Sequence, residues 1–172
     1  MQLGELLEEI KIGDDEYKKK NTEEELREAF DEDLGKFKSS VLINNLVTKL
    51  SENMNEKNAP IIRAVRRASK KIESFENRLE EKGHINEAYA HMKYDSLSDD
   101  YKELNKLLEN NKVRKSLPEE QLASAVAFIL FESESMAAHG NFDIDERKFP
   151  QINENFKDKV NKEYKMITES VN

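Results

Sequence analysis

The residues best equipped for chemistry are three histidines, His84, His91 and His139, and the acids spaced around them. Glu87 and His91 stand four apart and share a face if their segment is helical. Two ligands at that spacing can begin a metal centre, which must then draw a third and fourth from elsewhere. His139, Asp143 and Asp145 are the possible suppliers. The chain has no H-E-x-x-H pattern and no second Glu–His pair of the kind a di-iron bundle uses. The expectation is no metal and no cofactor, with surface or capping histidines. A second constellation lies in "FILFESESMAAHG", where Glu132 and Glu134 follow an apolar run directly. Positions 132, 135, 136 and 139 fall on one helical face, and a partly buried Glu132 would have a raised pKa suited to moving a proton. The same pattern marks the place where a buried helix emerges into water, so no residue is assigned a catalytic role. There is no phosphate-binding glycine loop, no G-x-S-x-G and no cysteine nucleophile. A non-enzyme is therefore expected.

Binding chemistry is concentrated elsewhere. In "PIIRAVRRASKK" five cations, Arg63, Arg66, Arg67, Lys70 and Lys71, occur with no acid among them. On a helical wheel they span roughly 140° opposite the apolar seam, at 100° per residue. They oppose the helix dipole at its N-terminal half, a cost of about 0.3–1 kcal/mol for each cation close to the end. Three occupants fit such a face. The acidic first 33 residues of the chain could lie across it, a nucleic-acid backbone could bind it through counterion release, or an acidic protein partner could dock on it, the last sharing its place with a merely solvated face. No RNP motif, zinc finger or helix-turn-helix accompanies it, so nucleic-acid binding would be sequence-tolerant.

Two short stretches resemble known families. "RLEEKGH" spaces Arg78 and His84 as in the R-x(4–6)-H motif of HEPN-type RNases, which are all-α. The resemblance implies metal-independent RNA cleavage by these two residues in paired subunits. Leu79 stands where that family has a polar residue, and Gly83 interrupts the helix before His84. "SMAAHGNFDIDERKF", Ser135 to Phe149, is similar to the helix–acidic turn–helix element of tellurite-resistance TerB-type domains, with His139-Gly140 in place of Asp-Gly. It implies a shared turn solution: Gly140 as a left-handed C-cap, Asp143 or Asp145 as the next N-cap, and Pro150 in the first turn of the last helix.

These residues must be positioned by helices. Gly and Pro number only 5 and 3 in 172 residues, and no alternating β-branched run competes with helical spacing. Leu3, Leu6, Leu7 and Ile10 suggest a short first helix. Thr22 and Glu25 form a capping box for a segment carrying Leu26, Phe30, Leu34, Phe37, Val41 and Leu50, with Gly35 as a possible bend. Asn58 and Pro60 open a helix whose seam is Ile61, Val65, Ala68, Ile72, Phe75 and Leu79, and Gly83 stops it. A short helix over Asn86–Tyr94 and a separate one opened by Ser98 follow. Ser116, Pro118 and Glu119 then start a helix apolar on most sides from Leu122 to Phe131, the mark of a central helix. Phe149, Ile152, Phe156, Val160, Tyr164 and Ile167 stripe the last helix. The spacing predicts an all-α, single-domain bundle of five to seven mostly antiparallel helices around the central apolar helix 118–139.

Composition bounds the function. Charged residues make up 37% of the chain, against about 25% in ordinary domains. The net charge of −8 resides in residues 1–33, with 13 acids against 5 bases, while the rest balances at 23 of each. The longest apolar run, Ala123–Phe131, is far short of a membrane span, and the acidic N-terminus lacks the basic region of a signal peptide. The absence of Cys fits a reducing compartment, and a cytoplasmic protein without disulfides is expected. These features point to a non-catalytic helical interaction protein, an inhibitor, adaptor, immunity factor or subunit of an assembly, with a protein partner. The alternatives are a nucleic-acid-associated module using the basic face of helix 60–82, and the HEPN-like RNase.

Overall fold

The apolar spacing resolves into six helices among the described residues, 38–171 of a computed structural model. They are α1 (Ser39–Ser51), α2 (Ala59–Lys82), α3 (Glu87–Leu107), α4 (Asn111–Lys115), α5 (Glu119–Gly140) and α6 (Glu154–Val171). The acidic segment 1–33, the capping box at Thr22, the apolar positions Leu26 to Phe37 and the possible bend at Gly35 lie outside the described residues. The described part is all-helical without strands. No helix in it is long and apolar enough to cross a membrane.

Helix α5 is the hub, packed against α1, α2, α3 and α6. Leu122, Ala123, Ala125, Val126, Ala127, Phe128 and Ile129 are all at 0% exposure, so this helix has no solvent face through its first half. Each large side chain buried this way stabilises by about 1.5–3 kcal/mol relative to exposure. The α2 seam behaves as its spacing requires. Ile61, Val65, Ala68, Ile72 and Phe75 are buried and Leu79 is partly so. Pro60 occupies the first turn of α2, and Gly83 ends the helix at φ 72°, a left-handed conformation that favours glycine.

Cross-helix contacts give the directions. Ser40 meets Glu76, Asn44 meets Glu73 and Ser51 meets Arg66, so α1 and α2 are antiparallel. Arg67 meets Glu103 while Tyr89 meets Ser74, so α2 and α3 are antiparallel as well. Residues 141–153 then run back along α3. As a result α6 meets α5 in the same sense, Lys159 at Glu119 and Tyr164 at Glu134.

Several local expectations are corrected. The segments over Asn86–Tyr94 and from Ser98 are one helix, α3, capped by Asn86, whose Oδ1 accepts from the N–H groups of Ala88 (2.8 Å) and Tyr89 (3.3 Å). Ser98 is not a cap but a buried interior residue, because Ala90, Tyr94, Leu97, Tyr101, Leu104 and Leu108 carry one unbroken apolar seam past it. Ser116 closes α4 rather than opening α5, whose N-cap position is Pro118. Val41 is exposed, because Leu42, Ile43, Leu46 and Leu50 supply the buried face of α1 instead. Gly140 is the last residue of α5, and the left-handed C-cap is Asn141, φ 56°. What Gly140 provides is space, since a Cβ there would overlap the Phe142 ring and touch Ala90. Neither Asp143 nor Asp145 caps α6. Asn153 lies at its start and accepts from the Asn155 N–H, so Phe149, Pro150 and Ile152 belong to the preceding connection.

Candidate interaction surface and a buried carboxyl pair

Helix α2 packs mainly on α3 and α1 and more lightly on α5, and this turns the five cations outward, but it does not leave them equivalent. Arg67 and Lys71 lean towards α3. Arg67 Nε donates to Asp100 Oδ1 (3.2 Å), and its other end pairs with Glu103. The Lys71 ammonium lies 2.5 Å from Asp100 Oδ2, with its directed hydrogen bond going to the Ser96 carbonyl (3.0 Å). Asp100 is 5% exposed, so its charge is desolvated and needs these two cations.

Arg63, Arg66 and Lys70 lie at i, i+3 and i+7 on the other flank, towards α1, and all three are exposed. Arg66 makes one long hydrogen bond, to Ser51 Oγ (3.4 Å). Among the described residues no acid pairs with any of the three. Beside them runs an open groove of about 400 Å³ lined by Asn44, Val47, Thr48, Ser51, Arg66 and Lys70. The α1 wall thus offers amide and hydroxyl groups, and the α2 wall offers cations. The groove ends where Asn44 Nδ2 donates to Glu73 (3.1 Å).

At the other end of α1 the chemistry reverses. The first turn of α1 has no side-chain cap of its own. Glu76 of α2 supplies one, accepting from the Ser40 hydroxyl (2.8 Å) and from the Ser40 N–H at 3.3 Å to each carboxyl oxygen. A carboxylate at a helix N-terminus is favourable by about 0.3–1 kcal/mol, more when partly buried. Lys38 pairs with Glu80 one turn further along α2. Behind Glu76 sits Glu132 of α5, 4% exposed. Burial, and then the Glu76 carboxyl within hydrogen-bonding reach, push Glu132 well above the usual carboxylate range, against an opposing hydrogen bond from Ser39. Glu132 therefore holds its proton to higher pH than an exposed carboxyl and, while protonated, can donate it in a hydrogen bond to Glu76. Two carboxyls this close cannot both ionise cheaply.

The remaining constellations do not assemble. His139, two turns from Glu132, is exposed and meets the edge of the Phe75 ring rather than the carboxyl. Glu87 accepts from Asn141 (3.2 Å), and His91 pairs with Asp95 (3.2 Å). Among the described residues no three His, Asp or Glu side chains are placed to hold a metal. Arg78 lies over the Tyr89 ring, 4.5 Å from its centroid. His84 sits beyond the left-handed Gly83, with Nδ1 3.1 Å from the Lys82 carbonyl, so these two residues share no helical face. The stretch that resembles the TerB-type turn is pinned on α3 by aromatic packing. Phe142 and Phe149 flank Tyr94, whose hydroxyl accepts from the Asp145 N–H (3.0 Å), and the Tyr101 hydroxyl donates to the Pro150 carbonyl (2.6 Å).

Asp100, Glu103 and Glu76 were missed from sequence. A signal for the first two existed: Arg67 and Lys71 repeat at i, i+4, and Asp100 and Glu103 repeat at i, i+3, on helices joined by a short turn. Comparison with family models, with curated proteins and with solved structures finds no match to this chain.

Proposed function

We propose that the protein is a non-catalytic helical interaction protein that docks an acidic segment of a partner protein along the α1–α2 groove. The observation that carries this reading is the row Arg63, Arg66 and Lys70, which meets no acid among the described residues and borders an open polar groove. The row is about 10 Å long at 1.5 Å per residue, two turns of helix. A partner helix or extended strip with acids at matching intervals fits that width. A nucleic-acid backbone fits less well. Its phosphates would also approach the far flank, where exposed Asp99 and Glu103 repel them and Asp100 already engages Arg67 and Lys71.

The test is fluorescence anisotropy with a labelled glutamate-rich peptide and, separately, a labelled oligothymidylate of similar charge. The full chain should bind the peptide more tightly at low salt. Arg66→Glu/Lys70→Glu should weaken that binding at least about tenfold, since like charges across an interface are strongly disfavoured. Arg67→Gln should leave it nearly unchanged. Tighter binding of the oligonucleotide, lost in the same double variant, would replace the acidic-protein reading with the phosphate one.

A further inference from the structure

From the placement of Glu76 and Glu132 we infer that this carboxyl pair is a proton-operated clasp, which fastens the first turn of α1 to α2 and α5 while protonated and loosens it when the proton leaves. The geometry has three parts. Glu132 is buried at the point where α5 meets α1 and α2. Glu76 receives both the hydroxyl and the N–H of Ser40, so it is the external cap of a helix that has no side-chain cap of its own. Ser39 bonds Glu132 itself. Both serines at the start of α1 are therefore tied to the pair, one to each carboxyl.

With one proton between them, Glu132 can donate to Glu76, while Ser40 and Ser39 donate to the pair from α1. Without it, two negative charges face each other, one of them on the buried Glu132, and among the described residues no cation pairs with either. On α1, Lys38 is engaged by Glu80 of α2. On α2, Glu73 is bonded to Asn44. On α5, His139 is turned to Phe75. Among the described residues α3 and α6 place no charge on Glu132. Of the three helices that meet at the pair, α1 has the fewest helix partners among the described residues, packing chiefly on α2 and α5 while those two also pack on α3, so repulsion is relieved there. Since α1 is one wall of the groove, opening the clasp would also dismantle the docking site, a consequence that rests on the function proposed above. The clasp itself does not rest on it.

Hydrogen–deuterium exchange of the α1 amides tests the clasp in the full chain, from about pH 5 to about pH 9, corrected for the intrinsic pH dependence of exchange. Protection of α1 should fall by up to about tenfold per pH unit from the ordinary carboxylate range up to the raised pKa of the pair, and be level above it, by proton linkage. Protection in α5 should fall less. In Glu132→Gln, which keeps a donor towards Glu76 and cannot ionise, α1 protection should be level throughout. Level α1 protection in the wild-type chain, or an equal fall in the variant, overturns the inference. A second measurement does not depend on the variant folding. The Glu132 side-chain carboxyl carbon, followed by NMR, should remain in its protonated position after the exposed carboxylates have titrated, and titration together with them would also overturn the inference.

Discussion

The acids on α3 decide how positive the α2 face is, so removing them gives a sharp expectation. Asp100 and Glu103 engage Arg67 and Lys71, leaving Arg63, Arg66 and Lys70 without an acid among the described residues. Asp100→Asn/Glu103→Gln removes both negative charges while keeping side-chain shape, and converts a row of three available cations into the full cluster of five. Binding of single-stranded nucleic acid releases counterions with a slope of about −0.7 per phosphate neutralised. Three cations give a slope of about −2.1 in log K against log salt, and five give about −3.5. A fourfold rise in salt then weakens binding about 18-fold in the wild-type chain and about 130-fold in the variant, by the same relation. Arg67 and Lys71 are 44% and 26% exposed in their side chains, so both can turn to water when their partners go, and the fold should survive. Anisotropy of a labelled oligothymidylate over a salt series reads the slope, with circular dichroism as the check on folding. An unchanged slope in a folded variant would refute the reasoning, because Asp100 and Glu103 would then not be what limits the face.

Other expectations follow from single contacts. Val126→Asp should abolish cooperative unfolding and most helical signal, because Val126 is at 0% exposure and an unpaired core charge costs several kcal/mol. Gly140→Ala should lower stability by about 1–3 kcal/mol as the new methyl meets the Phe142 ring and Ala90, and Phe142→Ala should cost less in that background than in the wild-type chain, read by denaturant melts. Glu132→Gln should make the protein more stable than wild type at alkaline pH and remove a pH dependence. Glu132 has a raised pKa in the fold, so the folded chain holds a proton that the unfolded chain has already lost. The Glu132 contribution to wild-type stability is therefore fully present below the ordinary carboxylate range, falls by up to about 1.36 kcal/mol per pH unit up to the raised pKa, and is level above it; the difference between wild-type and Glu132→Gln urea midpoints across pH measures this. Elemental analysis of the purified protein should find no stoichiometric zinc, iron or manganese.

The parts of the fold that were legible in sequence are those set by long apolar repeats. The α2 seam and the all-round apolar run of α5 each name their own burial, and both emerge as read. What failed were boundaries written in polar residues. Ser98 and Ser116 look like N-caps because serine suits caps. In the fold Ser98 is enclosed by a seam that continues on both sides of it, and Ser116 hydrogen-bonds Val113 and Asn58 instead. Gly140 looks like a left-handed C-cap for the same reason of type, yet its value lies in the missing Cβ, a tertiary fact that depends on where Phe142 returns. The candidate surface was legible as charge and not as pairing. The wheel turns all five cations outward, but which of them meet acids depends on the crossing of α2 and α3. Glu132 was legible as a buried acid. Its partner was not, because Glu76 belongs to a different helix and reaches it only through the packing of α2 beside α5.

Helix α1 is where these observations meet. It is short, and its buried face is apolar, but its first turn depends on a cap lent by α2 and on a proton kept by α5. Its exposed side forms one wall of the groove whose other wall is the cation row. Stability in a bundle is not uniform, and elements with few partners open first. Helices α2, α3 and α5 pack on one another and share the large buried rings Phe75, Tyr94, Tyr101 and Phe128, so the cost of moving any of them is the cost of the core. For α1 the corresponding cost is one apolar stripe and one pair of carboxyls. A groove built between a fixed wall and a conditionally fastened one can have its occupancy set by either wall, through the charges of α2 or through the proton held behind α1.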